Sequence, residues 1–302
     1  MEIALQFVLL SLGFVMLAKG ADWFVEGAAG IAMRFGIPQL VIGLTIVAMG
    51  TSAPEAAVSI AAAMKGNADI TIGNILGSNI LNILVILGLA ASIVPIAVAR
   101  STVRIEIPFM IGVTALLFYQ GRDGSISLAD GGVLMVAFAV YMMYLYTMAM
   151  KSNVDSDLEE PGLPLGRCLL GAVGGLALII AGSNVTVGAA TSIATYAGLS
   201  ERFIGLTIVA LGTSLPELFT SVAAARRGNA DIAIGNIVGS NIFNILFVVG
   251  LSSLIIDIPF ASAFNFDTYV ALGAAVLLWL CVLRTQRLQR WAGALMLVCY
   301  AA

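Results

Sequence analysis

GLTIVAMGTSAPEAAVSIAAAMKGNADITIGNILGSNILNILVILGL, residues 43–89, returns at residues 205–251 as GLTIVALGTSLPELFTSVAAARRGNADIAIGNIVGSNIFNILFVVGL. The offset is constant at 162 residues (205 − 43), and 33 of the 47 aligned positions are identical. The best-kept parts are polar. Gly50-Thr51-Ser52-Ala53-Pro54-Glu55 matches Gly212-Thr213-Ser214-Leu215-Pro216-Glu217. Gly77-Ser78-Asn79 through Asn82 matches Gly239-Ser240-Asn241 through Asn244. Lipid-facing surface and ordinary core do not need polar residues held while apolar ones drift. The pattern predicts a site built from both copies.

Apolar residues make up 60% of the chain and charged residues 10%, with a mean hydropathy of +1.05. A soluble domain carries about a quarter charged residues, so this is a polytopic membrane protein. The net charge of −3 gives no reason to expect a nucleic-acid partner. Cys168, Cys281 and Cys299 sit in apolar runs without a pairing or zinc pattern. The chain has no histidine, which removes the usual proton shuttle and the commonest metal ligand. Met1-Glu2 lacks a basic leader, so the first span is expected to be retained.

About 20 apolar residues cross a bilayer as a helix. On that ruler spans fall near 3–33, 38–64, 69–95, 104–120, 128–149, 165–196, 202–226, 231–256, 267–284 and 289–302. The expected fold is therefore all-α, with ten transmembrane helices, five per repeat. The last is short for its counterpart at 128–149. An odd number of crossings makes the second copy enter from the opposite side, so the halves are expected to be inverted, an architecture common in secondary transporters. The expected units are a first half at 1–150, a linker at 151–164 and a second half at 165–302. With the N-terminus outside, Arg34, Arg100, Arg104, Lys151, Arg167, Arg226, Arg227, Arg284, Arg287 and Arg290 lie inside, against Lys65, Arg122 and Arg202 outside. That positive-inside bias predicts both termini outside. The linker KSNVDSDLEEPGLP, with Asp155, Asp157, Glu159 and Glu160, reads as a solvated connection rather than a cation site.

Glu55 and Glu217 fall near mid-membrane, where an ionised carboxylate costs several kcal/mol unless paired or liganded. No Lys or Arg occurs in residues 68–99 or 229–262, so a mobile cation is the natural partner. Thr51 and Ser52 precede Glu55 by four and three positions and share its helical face. Pro54 and Pro216 lack an N–H and crowd the carbonyls of Gly50 and Gly212. They are expected to break their helices and to free carbonyls around residues 47–50 and 209–212, tolerable at membrane depth where a polar cavity is lined. Carboxylate, hydroxyl and carbonyl oxygens are the hard ligands of Ca²⁺ and Na⁺. A Pro kink with self-satisfied Ser and Thr would explain one copy, but not a Glu in both.

Gly73, Gly77, Gly235 and Gly239 predict close helix approach. Ser78 shares a face with Asn82, as Ser240 does with Asn244, and these two Asn are expected to face the site. Asn74, Asn79, Asn236 and Asn241 are expected to cap or glue helices. Asn67-Ala68-Asp69 and Asn229-Ala230-Asp231 read as helix caps. Lys19, Asp22 and Glu26 have the spacing to pair with one another. Their counterparts, Ala181, Asn184 and Gly188, exclude that trio from the duplicated machinery.

The two GTSxPE and two GSNxxN elements resemble the alpha-repeats of the sodium/calcium exchanger family, prokaryotic type, within the cation/calcium antiporter superfamily. The resemblance spans essentially the whole chain. It implies ten helices in two inverted halves, with long first and sixth helices sliding past a core of eight. It implies Glu55 and Glu217 as main calcium ligands, with Thr51 and Thr213 acting through their carbonyls. Ser52, Ser78, Ser214 and Ser240 match sodium ligands, Asn82 and Asn244 a central polar pair, and the carbonyls of Ala48 and Ala210 outer sodium ligands. Some relatives, including the potassium-dependent branch, carry Asp where this chain has Asn244, which weakens a case for potassium.

Two glutamates match one Ca²⁺ in charge, while several Na⁺ need the extra oxygens. Exclusive occupancy of a site open to one side at a time is antiport. The expected function is Na⁺/Ca²⁺ exchange by alternating access. An H⁺/Ca²⁺ antiporter is the alternative and a cation channel a weaker one. An enzyme is not expected, since no histidine can serve Ser52 or Ser214 as base. The expected partners are Ca²⁺, Na⁺ and membrane lipid. Neither a cofactor nor an assembly beyond a monomer is called for. The compact loops suggest the inner membrane of a prokaryote.

Overall fold

A computed structural model describes residues 2–66, 68–152, 163–199 and 210–302. The linker at 153–162, Asn67, Arg202 and the first part of the span expected at 202–226 lie outside the described residues. Among the described residues the regular structure is helical apart from two short strand pairs. Helix α1 runs Glu2–Phe35. Next come α2 (Gln39–Ile42), a π-wound turn (Gly43–Val47), α3 (Ala48–Thr51) and α4 (Ala53–Met64), then α5 (Asp69–Leu81), a second π turn (Asn82–Leu87) and α6 (Gly88–Ile93). Strand β1 (Ile96–Ala97) leads to a third π turn (Thr102–Glu106), α7 (Ile107–Gln120), β2 (Ser125–Ile126) and α8 (Leu128–Ser152). The second half gives α9 (Leu165–Tyr196), α10 (Ala210–Thr213), α11 (Leu215–Arg226) and α12 (Ala230–Phe243). A π turn (Asn244–Val249), α13 (Gly250–Ile255), β3 (Ile258–Pro259), α14 (Phe264–Leu283), β4 (Arg287–Leu288) and α15 (Arg290–Ala301) follow.

Among the described residues seven helices are long and apolar enough to cross a membrane, or eight if the bent pair Gln39–Thr51 and Ala53–Met64 counts as one span. Two of the ten expected spans are not met by that measure. One begins outside the described residues. The other, α15, has 12 residues, about 18 Å of helix, short of a hydrocarbon core about 30 Å thick.

The two longest helices, α1 and α9, run antiparallel and touch along their length through glycines. A Cβ at Gly20 would lie 2.9 Å from the Gly175 carbonyl oxygen. One at Gly175 would lie 2.7 Å from that of Gly20, and one at Gly182 would lie 3.1 Å from that of Gly13. Only Gly permits this approach, which substitutes backbone contact for side-chain packing. The outer faces of these helices carry exposed apolar residues such as Leu12, Val15, Leu170 and Val173, as lipid-facing surface requires.

The interior belongs to α12 and its π turn, where residues 232–246 are buried throughout. The expected close approach is met at Gly235 and Gly239. An added Cβ there would sit 3.1 Å from the Gly43 Cα and 2.8 Å from the Leu44 Cα. At Gly77 nothing lies within 4 Å; the counterpart of the Gly43 segment, residues 205–209, is outside the described residues. The strand pairs cross between the halves. Ile96 faces Leu288 in β1–β4, and Ile126 faces Ile258 in β2–β3.

Of the expected caps, Asn67 and the Asp69 side chain lie outside the described residues, with Ala68 as the N-cap of α5. Asn229 is the N-cap of α12, without a side-chain hydrogen bond. Asp22 and Glu26 do not pair with Lys19. Both meet Arg227 at the end of α11, each at 3.1 Å. Sequence spacing within one helix cannot foresee a partner 205 residues away.

Candidate functional site

The breaks at the two prolines position the site. At Ser52 the backbone leaves the helical region (φ −82°, ψ 5°) and the axis bends by 50° before α4 starts. Ser214 does the same with φ −90° and ψ 3° before α11. The break lies at these serines rather than over 47–50, because Ala48–Thr51 stays helical and the Ser52 N–H still donates to the Ala48 carbonyl at 3.0 Å. The stretch over 43–47 is wound as a π turn instead. The freed carbonyl is found where Pro216 predicts it. Gly212 O accepts the Ser183 hydroxyl at 2.7 Å.

Each break sets its glutamate in the first turn of the following helix, where the N-terminal dipole favours a negative charge. Glu55 and Glu217 are both 1% exposed, and they repel one another. Each is held by the serine of the other copy. Ser52 Oγ donates to Glu217 Oε1 at 2.8 Å, and Ser214 Oγ to Glu55 Oε1 at 3.4 Å. Thr213 lies against Glu55. Thr51 likewise lies against Glu217, and its Oγ1 also reaches Asn236 Oδ1 at 3.0 Å and the carbonyls of Val47 and Ala48.

Beneath the carboxylates four asparagines lock α5 to α12. Asn79 Nδ2 donates to Asn241 O at 3.2 Å and Asn241 Nδ2 to Asn79 O at 3.1 Å. Asn82 Nδ2 donates to Asn241 Oδ1 at 2.9 Å, and Asn244 Nδ2 to Asn79 Oδ1 at 3.1 Å. Asn79 and Asn241 are thus the expected glue. The ring engages the amide nitrogens of Asn82 and Asn244, one bond from each, while among the described residues their Oδ1 atoms find no partner. Glu55 Oε2 and Glu217 Oε2 are also buried and unpartnered. Four acceptor oxygens, two of them from carboxylates, therefore stand without a donor. Such orphans cost about 1–3 kcal/mol each, more when charged.

Ser240 is fully buried and its hydroxyl reaches the Ala48 carbonyl at 3.3 Å; Ser78 is buried one turn before Asn82. Ala210 opens α10 at the second break. Sequence reasoning missed Ser59 and Ser221, one turn beyond each glutamate. Asn74 Nδ2 and Asn236 Nδ2 donate to their hydroxyls, at 2.9 Å in both copies, and to the carbonyls of Glu55 and Glu217. The signal was present, because both serines and both asparagines keep the 162-residue offset. A cavity of about 680 Å³ borders the site between α4, α9 and α10. Pro54, Ala57, Ser183, Asn184, Gly212 and Thr213 contribute to its lining.

A fold of this kind, with an oxygen cage between two helix breaks, defines a membrane cation transporter. The family model for sodium/calcium exchanger proteins matches residues 5–147 and 168–302. The chain belongs to that family of exchangers, which supports cation/Ca²⁺ antiport. It is 42% identical to the putative antiporter CaxA of Alkalimonas amylolytica over 96% of this chain and 93% of that one. It is 32% identical to the sodium/calcium exchanger MaX1 of Methanosarcina acetivorans over 99% and 97%. Among solved structures the sodium-calcium exchanger NCX_Mj, soaked with Na⁺ and Sr²⁺, superposes with a TM-score of 0.87 at 34% identity, covering 99% of this chain and 97% of that one.

Proposed function

We propose that this chain exchanges Na⁺ for Ca²⁺ across the inner membrane by alternating access around Glu55 and Glu217. The single observation that carries the reading is the set of four buried, unpartnered acceptor oxygens on Glu55, Glu217, Asn82 and Asn244. Hydrogen-bond donors cannot complete it, because the asparagine donors face away and the described residues bring no Lys or Arg to it. A cation does. One Ca²⁺ neutralises both carboxylates. The Thr51 and Thr213 carbonyls complete the calcium position, and several Na⁺ use the same oxygens together with the hydroxyls of Ser52, Ser214, Ser78 and Ser240 and the carbonyls of Ala48 and Ala210. The Ala48 carbonyl takes an ion once the Ser240 hydroxyl turns away from it. Both ion sets need the same two glutamates, so they exclude each other.

The reciprocal bonds, the antiparallel α1 and α9 and the crossed strand pairs support ten crossings in two inverted halves. The bordering cavity, lined by Pro54 and Thr213 beside the two breaks, suits a path for ions to the site. The glycine-to-glycine contact of α1 and α9 suits two helices that move together. Names among the relatives favour sodium as counter-ion.

Uptake of radiolabelled calcium into proteoliposomes tests the reading. An outward sodium gradient should drive uptake, and potassium or proton gradients in sodium-free buffer should not. Glu55→Gln and Glu217→Gln should each abolish it. Uptake driven by a pH gradient alone would assign H⁺/Ca²⁺ antiport instead, and full sodium-driven uptake in either Gln variant would remove the glutamates from the mechanism.

A further inference from the structure

Among the described residues three carboxylates are buried, and the third, Glu106, lies outside the cage. Its counterpart 162 residues on is Thr268 (106 + 162), whose hydroxyl merely returns to the Phe264 carbonyl one turn back at 2.7 Å. Whatever Glu106 does is therefore not part of the duplicated chemistry. Glu106 is fully buried within an apolar span, Thr102–Asp123. An ionised carboxylate there requires a compensating charge. Arg104 is exposed on the same turn, and the ion pairs of the described residues all belong to Arg227.

The helix around Glu106 is π-wound over Thr102–Glu106, a winding that takes carbonyls out of the regular ladder and recurs at functional sites. One of them, Val103 O, accepts Trp279 Nε1 at 2.8 Å. Glu106 Oε2, Thr102 Oγ1 and Tyr141 OH are each buried and each without a hydrogen-bond partner. Thr102 stands one turn before Glu106 on the same face. Tyr141, stacked on Phe109 at 5.4 Å, lies within electrostatic reach of the carboxylate. Tyr144 OH donates to Glu106 Oε1. Thr102 and the neighbouring Ser101 also act on the carboxylate from its own helix. Oxygens from two helices therefore gather around Glu106, and its Oε2 keeps an open acceptor position among the described residues.

We infer that Glu106, Thr102, Tyr141 and Tyr144 form an accessory site for one Na⁺, separate from the central cage. One carboxylate among neutral hydroxyls matches a single positive charge, whereas Ca²⁺ would leave an excess charge inside the bilayer. The oxygens are the hard donors that Na⁺ accepts. The inference does not depend on what the central cage exchanges.

Trp279, bonded to the same π turn, is the reporter. The purified chain carries Trp23→Phe and Trp291→Phe to isolate its emission, and Glu55→Gln with Glu217→Gln to silence the cage. It is titrated with NaCl against choline chloride at constant ionic strength and mildly alkaline pH. A saturable, sodium-specific change in emission is expected. It should vanish in Glu106→Gln, which keeps the shape and a partner for Tyr144. In Tyr144→Phe the half-saturating concentration should rise roughly tenfold, the worth of one hydrogen bond to a charged group. Glu106→Gln in the chain with an intact cage should retain calcium uptake, which certifies folding; if it does not, the Tyr144→Phe shift decides. A flat sodium titration, a response unchanged by Glu106→Gln, or a response to acidification that sodium does not affect overturns the site, the last by making Glu106 a protonated acid.

Discussion

Ser52 and Ser214 occupy equivalent places but do not hold their carboxylates equally. Ser52 reaches Glu217 at 2.8 Å, Ser214 reaches Glu55 at 3.4 Å, and bond strength falls steeply over that range. A hydrogen bond to a charged group contributes about 1.5–3 kcal/mol. Ser52→Ala should therefore lower apparent sodium affinity by roughly tenfold or more, and Ser214→Ala by clearly less. Sodium titrations of calcium uptake would show the order, and equal losses would mean that the serines act only as ion ligands. Asn236 is the other asymmetric residue. It is fully buried, holds Ser221 and the Glu217 carbonyl, and accepts from Thr51 of the other half. Asn74 is partly exposed and, among the described residues, donates to Ser59 and the Glu55 carbonyl of its own hairpin. Asn236→Ala should cost roughly 1–3 kcal/mol more than Asn74→Ala, through the extra buried groups it orphans, visible as a lower melting temperature in detergent. The glutamates and Asn82 and Asn244 were legible because charged and amide groups in an apolar run call for a reason. Ser59 and Ser221 were legible only through their shared offset, because a lone serine in a helix ordinarily bonds its own turn and calls for no partner.

Helices α1 and α9 owe their contact to the absence of side chains. A methyl at Gly175 would lie 2.7 Å from the Gly20 carbonyl, whereas one at Gly174 meets nothing within 4 Å. Gly175→Ala should therefore destabilise the chain by about 1–3 kcal/mol, as overpacking does, and should slow uptake if the pair moves as a unit. Gly174→Ala should leave both unchanged. Thermal stability in detergent and flux from the same preparations separate the two variants, and equal behaviour would sink the close-contact account. At this scale the apolar spans were readable from length and composition alone, and Pro54 located its break to within a few residues. The π turns were not readable. Their i→i+5 winding has no residue signature, yet two of them start at the site residues Asn82 and Asn244.

The orientation of the two halves is carried by four short strands. By the 162-residue offset β1 corresponds to β3 and β2 to β4. Yet β1 pairs with β4 and β2 with β3. Halves entering the membrane from the same side would bring equivalent strands to the same face, and β1 could then meet β3. The crossed pairing instead places each strand beside the counterpart of its own half's other strand, as inversion requires. Inverted halves predict that Arg122 and Arg284, equivalent by the same offset, lie on opposite faces. With Cys168, Cys281 and Cys299 replaced by Ala, Arg122→Cys should react with an impermeant thiol reagent added to intact cells, and Arg284→Cys only after permeabilisation. The sequence alone predicts this through an odd span count, which one miscounted helix would reverse. The strand pairing supports the same prediction without counting crossings. Labelling of both positions from one side would contradict the inversion whatever the number of spans, and it would leave the reciprocal Ser–Glu bonds without the symmetry that explains them.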